Sequence, residues 1–432
     1  MQITRRLGIW QFPFVGRRMD VLEQAFHKAL ASFPVLMLEK LISRKLGDQG
    51  VKFSKTLPRK IAEHILSGTE EPFCRAGRTQ PKEISLTFDD ADFEELTRVV
   101  DKFLKCQLPS LVHNLAERIS RNTLRGLKKS WIEEQRLQQV DLAEFRERME
   151  ETWGAPLGQL RMLLTIAREW CGEAHGRAND SDKNRKSRLK NLMARFLARS
   201  FQVTDEIICL LENGFADGAM ARWRTLHEIG VVAAVISRFG DDIAERYVAH
   251  QAVESKRAMK KYMDCCADLG YKPLGARVVK KLEKRYDAAI ARYGDTFKAD
   301  YGWAAHHLKK ARPSFADLEA AAGHAMMRAH YQMGSDNVHA GTKSMYGRLG
   351  LMMAYDGLLA GRSNAGLTDP GQNTAHTLTQ IAVLVCLSPK LDDLVVGNIM
   401  QTLRGEIPDS FWQADKRLRR RDKAFRQAES QR

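Results

Sequence analysis

Through most of this chain apolar residues return every three or four positions, and that period constrains the fold more than any other feature of the sequence. The segment from Leu189 to Asn213 shows it at full helix length and is followed by Gly214, which can take a left-handed cap without steric cost. A second helix is predicted from Asp217 to Phe239, ending at Gly240, and Asp241 is placed to N-cap a third that runs past Tyr262. Connections this short predict an antiparallel hairpin continued into a bundle. Only Ile84, Leu86 and Phe88 in KEISLTF alternate as a strand would. The expected fold is therefore all-α, a multi-helix bundle with a smaller α-rich N-terminal domain containing at most a short strand.

Breaks in the pattern divide the chain into a leading domain over residues 1–115, a helical connector over 116–152, a large helical domain over 153–405 and a basic C-terminal helix or tail over 406–432. Asp92 with Glu95, and Ser314 with Asp317, have the spacing of capping boxes, in which each side chain satisfies an N–H that the first helical turn leaves open. HGRANDSDKNRKSR from His175 and GRSNAGLTDPGQN from Gly361 are expected as loops. Helices are expected over YGRLGLMMAYDGLLAG and from Thr374 through Leu387, with a turn at Gly405 and Pro408. In the leading region the helix-period pieces are broken by Pro34 and Pro58.

An apolar fraction of 44% and a charged fraction of 28% are those of a folded globular chain. Lys and Arg outnumber Asp and Glu by 69 to 53, a formal charge of +16 that favours polyanionic partners. RNA or DNA could meet the basic segments NRKSRLKNLMARF and DKRLRRRDKAFRQ, while the same excess could simply face solvent. Seven cysteines, odd in number and without C-x-x-C spacing, are expected as reduced core residues of a cytoplasmic protein. The basic, aromatic N-terminus lacks the apolar core of a secretory signal. IGVVAAVI and IAVLVCL are too short to span a membrane, so no membrane association is expected.

The chemistry concentrates in ARWRTLHEIGVVAAVISRF. At 100° per residue, Arg224, Glu228, Val231 and Val235 fall on one stripe with His227 beside it. Since the lower part of that stripe is apolar and must be buried, its polar upper end needs partners, either as an ion pair that pins helix register or as part of a pocket. His250 and Glu254, four residues apart on a helix polar enough to face solvent, are candidate ligand-binding groups. Ser335 and Asn337, with His339, are expected at a loop or helix start where N–H groups could converge on an anion. Glu228, His250, Glu254 and His339 match neither H-E-x-x-H nor the paired E-x-x-H of di-iron bundles, so no metal site and no cofactor are expected.

Helical nucleases of the HEPN superfamily use an Arg and a His separated by four to six residues. Arg222 with His227, Arg59 with His64 and Arg168 with His175 satisfy that spacing, a weak signal in so Arg-rich a chain. On that reading His339 or His227 serves as base or acid and an Arg, with Arg224 a candidate, stabilises charge on phosphorus, with Glu228 nearby. P-loop, dinucleotide-binding, serine-elbow and zinc-finger patterns are absent.

Taken together, ARWRTLHEIGVVAAVI, DYGWA, RPSFADLE and HYQMGSDNVHAG resemble a bacterial family of unknown function, DUF5677, over roughly Trp153 to Arg404. The family's R-x-L-x-E element falls on Arg224, Leu226 and Glu228, and its S-x-x-x-H element on Ser335 and His339. The resemblance implies an all-helical domain and carries no reaction. The leading region lies outside it and is the expected place for a protein partner. The expectation is an interaction or sensing module in bacterial defence or stress with affinity for nucleic acid or another polyanion. The alternatives are a metal-independent HEPN-like ribonuclease toxin and a bundle that binds or transforms a small phosphorylated ligand.

Overall fold

A computed structural model describes residues 32–69, 71–73, 84–181, 188–352 and 358–431, divided between two compact units, Met1–Gln139 and Val140–Arg432. Among the described residues every regular element is helical. The basic N-terminal stretch, Cys74 and the start of KEISLTF lie outside them.

In the first unit, α1 (32–48) and α2 (Leu57–Leu66) are followed by α3 (Asp90–Lys102). Ile42, Leu46 and Ala62 form a small core, covered in part by Leu86 and Phe88. Those last two are the residues whose alternation suggested a strand. They pack as irregular backbone without a ladder, the Gln49 side-chain amide donating to the Ser85 carbonyl at 3.0 Å. The capping box of α3 also lies three residues earlier than expected: Asp89 accepts from the Asp92 N–H at 2.9 Å and Asp92 accepts in return at 3.1 Å. Asp92 is the buried member, held by Arg44 at 2.7 Å and by Lys45, so it answers two cations as well as a backbone donor. A π-helical turn, Phe103–Gln107, then leads into α4 (Leu108–Ser181), which crosses from the first unit to the second.

The second unit is built on α4, α5 (Arg188–Glu212), α6 (Ala216–Phe239), α7 (Asp241–Cys265) and α8 (Ala276–Tyr293). Short helices α9 (Ala305–Leu308), α10 (Phe315–Ala322), α11 (Arg328–Asp336) and α12 (Thr342–Tyr346) follow, then α13 (Thr368–Cys386) and α14 (Leu391–Ser430). Gly214 and Gly240, at φ of 74° and 78°, end α5 and α6 as expected, whereas Asp241 enters the first turn of α7 and accepts from the Leu189 N–H.

Because α6 is apolar on most of its circumference, it is buried rather than amphipathic. Its first half (Ala219, Met220, Trp223 and Leu226) joins a core with Trp153 and Leu160 of α4, Ile207 of α5, Ile381 of α13 and Phe411 of α14. Its second half (Val231, Val235 and Ile236) joins another with Ile243 and Val253 of α7, Phe297, Trp303 and Leu318. Three indoles place their N–H on acceptors: Trp153 on the Asn364 carbonyl at 2.8 Å, Trp170 on Asp393 at 2.9 Å and Trp223 on the Asn373 carbonyl at 3.0 Å.

Several loop and helix expectations are corrected. The segment after His175 remains helical to Ser181, and 182–187 lie outside the described residues. YGRLGLMMAYDGLLAG is irregular at 347–352 and 358–361, with 353–357 outside the described residues. Loop residues TDPGQN instead begin α13, since a proline in the first turn gives up an N–H that has no intrahelical acceptor there. Gly405 and Pro408 do not turn the chain. Leu403, Ile407, Phe411, Ala414 and Leu418 repeat at helical spacing on the buried side of α14, and their burial outweighs the one hydrogen bond that Pro408 removes. The cysteine expectation is corrected at one pair, since Cys171 of α4 and Cys386 of α13 are joined in a disulfide with Cα atoms 5.7 Å apart. Both lie where apolar faces meet.

Phe411 is fully buried, 5.9 Å from the Trp153 ring. Phe411→Ala should lower unfolding free energy by about 3–5 kcal/mol, measured by urea denaturation; a loss under about 1 kcal/mol would show that α14 is not docked.

Candidate functional site

Two polar clusters sit where α6 meets α10 and α11. In the first, Arg224 Nε donates to Glu228 Oε1 at 3.0 Å and the Tyr331 hydroxyl donates to the same oxygen at 2.8 Å. The Arg224 guanidinium also lies 4.9 Å from the Tyr331 ring centre. Gly334 permits this approach, because a Cβ there would stand 3.1 Å from the Arg224 Cβ. Burial, and then its carboxylate acceptor, push the Tyr331 hydroxyl up to about 12. Arg224 and Glu228 keep 24% and 36% of their side chains exposed, so this pair is not sealed.

The second cluster is. His227 and Glu319 are each 1% exposed, and His227 Nε2 donates to Glu319 Oε1 at 3.0 Å. Arg328, about half exposed, closes the other carboxylate oxygen at 2.6 Å. Burial lowers the His227 pKa despite the opposing pull of Glu319. The ring is therefore a neutral Nε2–H tautomer, stacked on Trp223 at 5.3 Å and 6.1 Å from His324. Glu319 was missed in the sequence, although Phe315, Leu318 and Glu319 occupy one buried helical stripe in FADLEAAA. An acid at a core position was the available signal.

The remaining expected site residues do not join these clusters. His250 is buried at 1%, contrary to its expected exposure, and its Nε2 donates to the Ala299 carbonyl at 3.0 Å. Nδ1 faces Glu254, whose side chain is 68% exposed, at 3.5 Å. Ser335 and Asn337 occupy the last turn of α11 and the residue after it, where free carbonyls rather than N–H groups are presented. Ser335 donates to the Tyr331 carbonyl at 2.9 Å and Asn337 to the Met333 carbonyl at 3.3 Å, so neither gathers donors for an anion as expected. His339 follows the helix with an exposed side chain that joins neither cluster. The arginines of the three Arg/His spacings are engaged by acids: Arg59 by Glu63, Arg168 by Asp205 and Arg222 by Glu206.

Behind the first cluster opens a cleft of about 820 Å³, lined by Arg257, Lys298, Asp300, Tyr301, Arg312 and Phe315 among others. Elsewhere on the unit, the outer face of α14 exposes Lys416, Arg417, Arg420 and Lys423, none with a carboxylate partner among the described residues. Trp412, 52% exposed, continues that face, with the Lys416 ammonium 5.3 Å from its ring centre. Among the described residues no helix is long and apolar enough to cross a membrane.

The polar clusters and the cleft fall in the segment whose sequence blocks resembled a family. The family of unknown function DUF5677 matches residues 190–353. The matched segment thus runs from the start of α5 past α12 and holds Arg224, Glu228, Glu319, Tyr331 and the cleft. It is narrower than the resemblance, since α4, α13 and α14 lie outside it. No curated protein and no solved structure matches the chain.

Burial also lowers the pKa values of His324 and His376, the latter beside Arg404. Below about pH 6.5 the unfolded chain protonates these three imidazoles while the folded chain resists, so stability should fall with pH below that value and stay level just above it. Urea midpoints measured at pH 7.5 and 5.5 should differ in that sense, and His324→Gln with His376→Gln should narrow the gap. A midpoint independent of pH over this interval contradicts the assignment.

Proposed function

We propose that the protein is an interaction or sensing module that holds nucleic acid on the outer face of α14. The observation that carries this reading is the charge on that helix, where Lys416 to Arg426 contain seven cations and one acid. Burial of Ile407, Phe411, Ala414 and Leu418 on the opposite side fixes which cations face outward. Lys416, Arg420 and Lys423 are spaced by four and three residues, or about 4.5–6 Å along the axis. Phosphate binding to such a row is strong at low salt and insensitive to sequence. Trp412, beside Lys416, offers a flat apolar surface of the kind on which unpaired bases stack.

The ribonuclease alternative receives less support. His227 is sealed against Glu319 and cannot reach a phosphodiester, and the exposed His339 has neither Arg224 nor Glu228 as a neighbour in a shared hydrogen-bond network. Buried His227 and Glu319, with half-exposed Arg328 on the other carboxylate oxygen, satisfy one another at the α6–α10–α11 junction instead.

Binding can be followed by the fluorescence anisotropy of a labelled RNA of about 20 nucleotides across a salt series. The triple variant Arg417→Glu, Arg420→Glu, Lys423→Glu should weaken binding at least tenfold and reduce the slope of log K against log salt by about 2, since each phosphate contact contributes about 0.7. Wild-type affinity in the variant, or no binding by the wild type at low salt, rejects the reading.

A further inference from the structure

We propose that the cleft between α7 and the segment preceding α10 is a binding site for a nucleoside polyphosphate, separate from the α14 face. Its volume of about 820 Å³ suits a ligand of cofactor size. One side carries Arg257 and Lys298; the other carries Arg312, Pro313 and Ser314; Tyr301 and Phe315 contribute aromatic rings.

The wall carrying Lys298 and Tyr301 is held in place before any ligand arrives. Buried His250 holds the Ala299 carbonyl, Phe297 is 1% exposed beneath it, and Arg257 donates to the Lys298 carbonyl at 2.5 Å. Gly302 lies against the Phe297 carbonyl, where a Cβ would come within 2.4 Å. Phe315 is fixed from behind by the Tyr331 ring, stacked at 4.7 Å, and the Tyr301 ring lies 6.2 Å from that of Phe315. Half-buried Tyr301 can therefore meet a planar ring without rearrangement.

The charges favour an anion of more than one phosphate. Arg312 has no carboxylate partner among the described residues. Asp300 and Asp295, which answer Arg257 and Lys298, are 80% and 85% exposed. Exposed pairs of this kind contribute little to stability, so a polyphosphate can replace the acids at small cost. The start of α10 is not the phosphate site, because Asp317 already accepts from the Ser314 N–H and hydroxyl and is paired with Lys310. That leaves the guanidinium groups of Arg257 and Arg312 for the phosphates and Tyr301 for the base, a division that matches the two halves of a nucleotide.

Isothermal titration calorimetry with ATP, adenosine and inorganic triphosphate tests this on the full chain. ATP should bind more tightly than either fragment. Arg312→Ala should weaken ATP at least tenfold, and Tyr301→Leu should weaken ATP while leaving triphosphate unchanged. The α14 triple variant should bind ATP as wild type does, even where it loses RNA, so the two sites fail independently. The proposal is overturned if ATP gives no binding at millimolar concentration, if triphosphate binds as tightly as ATP, if Arg312→Ala has no effect, or if the α14 variant loses ATP.

Discussion

A helix buried on nearly all sides must find a partner for every polar group it carries, and α6 carries Arg224, His227 and Glu228 within five residues. Arg224 and Glu228 pair on α6 itself, Glu319 of α10 takes His227, Tyr331 of α11 donates to Glu228, and Arg328 closes Glu319 from its other side. An unpaired buried carboxylate would cost several kcal/mol, far more than the pairs on the surface of α4 return. The position of α10 and α11 against α6 is therefore dictated by Glu319. Leu318 and Phe315 on the same helix fill the apolar space around it.

Helix content was legible because the signals are local. Gly214, Gly240 and the Ser314–Asp317 box fix their helix ends by the conformation or the hydrogen bonds of a few adjacent residues. Where local signals failed, tertiary burial had overridden them. Gly405 and Pro408 read as a turn, yet the apolar stripe through Phe411 draws the helix straight past them. KEISLTF reads as a strand, but among the described residues no second extended segment pairs with it, and Leu86 and Phe88 settle on a helix pair instead.

The polar clusters were half legible for the same reason. Helical spacing placed Arg224 beside Glu228 from sequence, because both lie on one helix. Glu319 and Tyr331 are 92 and 103 residues from their partners on α6, so no wheel could bring them there. His250 shows the opposite error: a helix polar in composition still buries one ring when a neighbouring loop offers a carbonyl, here that of Ala299. Ser335 and Asn337 were expected at a loop or helix start, although the same residue types serve equally well where a helix ends.

The two clusters differ in what they can transmit. His227, Glu319 and Arg328 satisfy one another, and His227 and Glu319 are closed to solvent, which makes this set a fixed joint. Arg224 and Glu228 are only part-buried, and buried Tyr331 touches Phe315, the ring that lines the cleft. A group pressing on Phe315 would load the Tyr331 ring, whose hydroxyl shares Glu228 Oε1 with Arg224. Both clusters touch Phe315, the His227 ring at 6.1 Å and the Tyr331 ring at 4.7 Å, and the Tyr331 cluster is the one open to solvent. Its partial exposure leaves Arg224 and Glu228 free to adjust, as the sealed pair beside them is not.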